Sequence, residues 1–177
     1  MNSLPIIESG MTFGPYHHEH FLYIEKSKLY KNIQADVRMA EFLILRLKAG
    51  RPPSIWIVEA KSSTPRPETT PDFNGFIEEI KLKFNNALSL SLAALLQRHK
   101  LASDELSVPF RALDLSAVVF RFVLVINGHQ DSWLPPLQEA LTKALTPTIK
   151  TWALSLPAVT VINEVMASEY GLITLSR

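Results

Sequence analysis

A carboxylate and an amine leaving the same face of a strand can hold a hard cation and act on a water beside it. Glu59 and Lys61, in the stretch Ile55-Trp56-Ile57-Val58-Glu59-Ala60-Lys61, have that spacing, because side chains two apart on a strand share a face. Glu59 would supply an oxygen ligand to Mg²⁺ or Mn²⁺, and the main-chain carbonyl of Ala60 another. Lys61 would orient or help deprotonate the attacking water and offset charge on a phosphate. These are the parts of a phosphodiester-hydrolysing site. One carboxylate binds Mg²⁺ weakly, so a second acid must come from a neighbouring element. Glu41 is the best candidate, lying inside the apolar run Met39-Ala40-Glu41-Phe42-Leu43-Ile44. A charge buried in such a run costs several kcal/mol unless it is paired or binds a metal. Asp36, at the start of the same run, is the runner-up and reads more simply as a solvated turn residue.

The elements that must position these groups follow from the apolar pattern. The segment through Tyr16 contains Pro5, Gly10, Gly14 and Pro15 and reads as irregular; Phe21 to Ile24 reads as the first strand, and Lys26 to Asn32 as a turn region. Val37 to Leu47 and Ser54 to Lys61 read as two strands of an antiparallel hairpin, joined by Lys48-Ala49-Gly50-Arg51-Pro52-Pro53. Ser62 to Pro71, with three prolines, is a loop, and Thr70-Pro71 reads as a helix N-cap with proline at the first helical position. Phe73, Ile77, Ile80, Phe84, Leu88, Leu92 and Leu95 recur at three- and four-residue steps, the stripe of one long helix reaching about His99. Ala102 to Asp114 is a connection. Ala117 to Ile126 is a buried strand, Leu134 to Leu145 a helix limited by Pro147, Val159 to Ile162 a last strand, and Glu164 to Tyr170 a helical turn stopped by Gly171. The sum is one α/β (α+β) domain over 1–177, a central mixed β-sheet flanked by helices.

An acid on one strand, a hairpin, Glu-Xaa-Lys at the end of an apolar strand and then a helix resembles the PD-(D/E)XK nuclease superfamily, the restriction-endonuclease-like fold. The resemblance covers about Phe21 to Ile126, and Val58-Glu59-Ala60-Lys61 is similar to a form common in such proteins. This chain has Glu41 where that pattern usually has Asp, with no proline before it. The resemblance implies a Mg²⁺- or Mn²⁺-dependent endonuclease acting on nucleic acid, DNA above all. Glu41, Glu59 and Lys61 would be catalytic, and Glu41, Glu59 and the Ala60 carbonyl would hold the metal. Glu25 would join as an outer acid or stay a solvated strand-end residue.

The whole chain limits the alternatives. Its 177 residues are 47% hydrophobic and 20% charged, with no cysteine, so disulfides, thiol nucleophiles and thiolate zinc sites are excluded. No apolar run reaches the roughly 18 residues of a membrane span. Met1 to Gly10 lacks a secretory pattern, so a cytoplasmic protein is expected. A net charge of +1 leaves nucleic-acid binding through a local patch open. No glycine-rich phosphate loop is present. His17-His18-Glu19-His20 reads as a solvent-exposed lead-in rather than a metal set, since neighbours on an extended chain point in opposite directions. Lys81, Lys83, Arg98 and Lys100 read as a solvated helix face, His99 and His129 as surface residues, and Trp56, Trp133 and Trp152 as core or interface residues. Two rival readings remain: a catalytically inactive nuclease-fold assembly subunit, dimeric or bound to a partner chain through Leu88 to Leu96, and a protein in which Glu59 and Lys61 form only an ion pair.

Overall fold

The computed structural model describes residues 5–174, so residues 1–4 and 175–177 of the expected domain lie outside it. Valine, isoleucine and aromatic residues build the two longest strands, β5 (Ser54–Lys61) and β6 (Val119–Ile126), which pair in parallel over their whole length. Around them stand β3 (Phe21–Leu22), β4 (Phe42–Arg46) and β7 (Val159–Asn163), giving a five-stranded mixed sheet in the order β3-β4-β5-β6-β7. β4 pairs antiparallel with β3 and with β5, whereas β6 adds parallel to β5 and β7 parallel to β6. A parallel step needs a long crossover. α2 (Thr70–Leu95) supplies it between β5 and β6, and α5 (Leu134–Thr151) between β6 and β7.

Both crossover helices cover one sheet face. Alternation along β5 sends Ile55 and Ile57 into that layer, where they meet Ile80, Phe84 and Leu88 of α2 and Leu137, Leu141 and Leu145 of α5. Phe84 lies 5.2 Å from Phe122 of β6. Trp56, Val58 and Ala60 face the other layer, closed by β1 (Ile6–Glu8), β2 (Met11–Phe13), Tyr16, Ala167 and Leu172. Short helices α1 (Lys28–Lys31), α3 (Ala102–Glu105), α4 (Val108–Arg111) and α6 (Glu164–Glu169) fill the edges. Among the described residues, no helix is long and apolar enough to cross a membrane.

The α/β sheet with flanking helices is therefore present, and the local departures have physical causes. The first segment is a hairpin rather than irregular, because Ser9 and Gly10 both take positive φ (51° and 76°), the two-residue turn that matches strand twist. The second strand is shorter than Val37–Leu47 because Met39 and Ala40, though buried, precede its pairing with β5. Thr69 rather than Thr70 caps α2, and its hydroxyl donates to the Arg66 carbonyl at 2.7 Å. Pro147 sits inside α5, which continues to Thr151: one lost hydrogen bond is outweighed by packing of Leu145 and Ile149, and Thr148 ties the last turn to Asn85 of α2 at 2.7 Å. The leucine-rich part of α2 serves this chain's own core, with Leu88 and Leu90 buried and Leu92 and Leu95 packed against them.

Phe122→Ala should cost about 3–5 kcal/mol in chemical denaturation, since its fully buried ring leaves a void between β6 and α2.

Candidate functional site

At the carboxyl end of β5 the strand outruns its partner β4, whose pairing stops at Phe42 opposite Val58. Glu59 and Lys61 follow on the face that α2 covers. Glu59 is wholly buried, at 0% exposure, and Lys61 is 24% exposed. Alternation puts the Ala60 carbonyl on the edge that β4 has left, because the next carbonyl, of Lys61, accepts from the Asn127 N–H on the β6 side at 2.9 Å.

Glu41 lies just outside β4 rather than within it. Its N–H donates to the Val58 carbonyl at 3.1 Å while Phe42 also faces Val58, so two residues oppose one in the manner of a β-bulge. The bulge keeps Glu41 buried, at 8% exposure, near Glu59. Its carbonyl accepts from the Glu25 N–H at 3.2 Å, and the Glu25 carboxyl is near enough to help raise the Glu41 pKa. Glu25 belongs to a single 3-10 turn, Ile24–Lys26, that follows β3, so it approaches the acids instead of ending a strand in solvent. Glu8 of β1 is close enough to be felt by Glu41, and its own partner is Lys26 at 3.2 Å.

α2 supplies the counter-charge. Lys83 Nζ donates to Glu59 Oε1 at 2.6 Å, and Lys61 Nζ stands 3.3 Å from the same oxygen and 3.2 Å from Glu79 Oε1. Arg38 closes the row at 3.5 Å from Glu79. Lys83, expected on a solvated face, is thus turned inward. The signal was present in the pattern: Lys83 adjoins Phe84 and follows Ile80 by three, on the flank of the buried stripe. Lys81, paired to Glu78 at 2.9 Å, does occupy the outer face.

The charges are unbalanced. Burial raises the Glu41 pKa to about 8, helped by Glu59, Glu25 and Glu8. Burial also raises the Glu59 carboxyl, with Lys83 and then Lys61 opposing. Burial alone would lower Lys83, but Glu59, with Glu41 and Glu25 behind it, holds it above its ordinary value. Every one of these shifts favours keeping protons in the cluster. Two carboxyl oxygens, Glu41 Oε2 and Glu59 Oε2, are buried with no hydrogen-bond partner.

Those orphaned oxygens fit a hard cation, as does the Ala60 carbonyl beside them. Among the described residues no three histidine, aspartate or glutamate side chains are gathered as a ready-made metal cage. The available set is two carboxylates and a carbonyl, which suits an ion that keeps part of its water shell. Asp36 is exposed, with φ of 60°, in a turn away from this set. His18–His20 form a short 3-10 turn capped by His17, exposed at His17 and His18 and half-buried at Glu19 and His20, with the His17 ring in tilted contact with those of His18 and His20.

Beyond Lys61 a cavity of about 510 Å³ opens between the loop Ser62–Glu68 and the start of α5. Ser62, Arg66, His129 and Trp133 line it. The His129 and Trp133 rings meet edge-to-face with centroids 5.2 Å apart, His129 lies 3.4 Å from the Thr64 hydroxyl, and burial lowers its pKa. Sequence reading left both rings as surface or core residues, since nothing local relates Asn127-Gly128-His129 to the loop after β5. No family model, curated protein or solved structure matches this chain.

Two stability measurements follow. Lys83→Met should destabilise by about 3–5 kcal/mol, because it strands the buried Glu59 charge, and a Glu59→Met/Lys83→Met pair should recover most of that loss. The Glu41 carboxyl holds its proton to about pH 8 in the fold but loses it near 4.5 when unfolded. Its contribution is therefore complete below pH 4.5 and is lost as pH rises through 8. In the metal-free protein, urea titrations across that window should show wild type losing stability relative to Glu41→Gln.

Proposed function

We propose that this chain is a Mg²⁺- or Mn²⁺-dependent nuclease of the restriction-endonuclease-like kind, hydrolysing phosphodiester bonds in DNA. The observation that carries the reading is the pair of buried, partnerless oxygens on Glu41 and Glu59, next to the Ala60 carbonyl and Lys61. Glu41, Glu59 and Ala60 would hold the ion. When bound, it would supply Lewis acidity and a more acidic water.

The protein's own contribution is positional. Lys61 is pinned between Glu59 and Glu79 yet remains partly open to solvent, so its ammonium can hold a water or a phosphate oxygen without moving. Arg66 and the Ser62 hydroxyl sit next in line along the cavity wall, where a phosphate chain leaving Lys61 would run. The exposed face of Trp133 offers a nucleobase a stacking surface at the far wall.

Lys83 favours a second reading, a catalytically silent nuclease-fold subunit. Its ammonium, 2.6 Å from Glu59, already places a cation against the acid that the metal needs. In the active reading Lys83 holds Glu59 in position and keeps its other oxygen free. In the silent reading it replaces the ion.

Cleavage of plasmid and single-stranded DNA with Mn²⁺ distinguishes these. The active reading expects cleavage by wild type, a fall on the order of 10²-fold or more in Lys61→Ala, and loss of calorimetric Mn²⁺ binding in Glu59→Gln. Cleavage equal in all three proteins would remove the assignment. Folded wild type that neither binds Mn²⁺ nor cuts would establish the silent subunit.

A further inference from the structure

A second pocket, of about 410 Å³, lies at the opposite end of β5 and on the opposite sheet face from the acids. Its walls carry Arg46 from the end of β4, Lys48 and Arg51 from the β4–β5 turn, and Arg121 from β6. Trp56 and Tyr170 form the aromatic part of the lining. Glu169 is the only carboxylate among the lining residues, against four cations. Among the described residues, neither Glu169 nor any of those four cations is ion-paired.

The cationic groups are held rather than loose. The Arg46 guanidinium lies over the Trp56 ring at 4.2 Å and donates through Nη2 to the Tyr170 carbonyl at 2.8 Å. Tyr170 in turn braces Trp56, with ring centroids 5.9 Å apart. Arg121 donates through Nη1 to the Pro157 carbonyl. The turn is closed by the Arg51 N–H on the Lys48 carbonyl at 3.1 Å, with Gly50 at positive φ. One donor is left over: Arg46 Nε is buried with no partner. A buried guanidinium N–H without an acceptor is left with its desolvation uncompensated, and burial lowers the Arg46 pKa.

We propose that this pocket binds a phosphate group, carried by a free nucleotide or by a nucleic-acid strand. The excess of cations over carboxylate suits a phosphate better than a singly charged carboxylate, and guanidiniums fixed by stacking and carbonyl bonds present N–H forks that match phosphate oxygens. The pocket's volume admits a nucleotide-sized ligand. The inference rests on these residues alone and not on the nuclease reading, since the acids occupy the other face and the other end of the strand.

Isothermal titration at low salt tests it on the full chain, with inorganic phosphate, acetate, deoxyadenosine monophosphate, and a short DNA strand with and without a 5′-phosphate as probes. Magnesium is left out so that the acids play no part. Saturable binding of phosphate is expected, with acetate weaker and affinity falling about tenfold or more in Lys48→Ala/Arg51→Ala. Both changed residues are exposed on the turn, so the fold should survive, as circular dichroism would verify. Arg121→Gln provides an independent second variant. Tightest binding of the mononucleotide identifies a free nucleotide as the source. Tightest binding of the phosphorylated strand identifies a strand end, and equal binding of both strands identifies the backbone. Failure of every phosphate probe to bind, acetate binding as well as phosphate, or affinity unchanged in both variants would overturn the proposal.

Discussion

The rest of the structure is arranged around one buried carboxylate. Glu59 has no exposed surface, yet it lies near the end of the central strand of the sheet. A charge in that place can persist only if another charge is delivered to it. α2 does so with Lys83, which fixes the helix's rotation: the face that buries Ile80 and Phe84 must also present Lys83 inward and Glu79 toward Lys61. The crossover between β5 and β6 is therefore tied at two levels, by apolar packing lower on the strand and by an ion network at its end.

That network contains more acid than base. Glu59, Glu25 and Glu8 all act on Glu41, and Lys61 and Lys83 answer mainly one of these acids, Glu59. The result is a carboxyl at Glu41 that resists ionisation and two oxygens left without donors. Balanced buried networks stabilise a unique packing, whereas partly satisfied ones are costly. The imbalance marks this cluster as different from a structural ion pair such as Lys81 with Glu78, which is exposed and spaced three residues apart along one helix.

Much of this was legible in the chain. Two-residue spacing put Glu59 and Lys61 on one face, and the helical stripe gave α2 almost to its ends. Glu41 stood out because an apolar run surrounds it. What escaped notice depends on contacts between distant segments. Nothing near Lys83 in sequence announces that the residue meeting it lies 24 positions earlier. Glu25 reads as a strand end until a 3-10 turn brings it back over Glu41. The bulge at Glu41 and the tight Ser9-Gly10 turn are single-residue events that an averaged pattern smooths away. Arg46, Arg51 and Arg121 come from separate elements and converge only because β4, β5 and β6 are neighbours.

The two polar concentrations also differ in what would complete them. At the carboxyl end of β5 the concentration is acidic, which a cation would balance; at the amino end, on the other face, it is basic, which an anion would balance. Filling the acid cluster with apolar side chains of similar volume would be neutral or stabilising by roughly 1–4 kcal/mol, as replacing buried ion networks commonly is, and the cations of the pocket at the other end do no packing work that apolar residues could not do. Neither cluster is therefore accounted for by the stability of the sheet. Lys83 already compensates one oxygen of Glu59, and the Tyr170 and Pro157 carbonyls already orient the guanidiniums, so each place is held in shape ahead of any ligand. Groups fixed in position but incompletely paired are what preorganised binding requires: the ordering cost has been met by folding, and the remaining unpaired atoms are free to gain from the ligand alone.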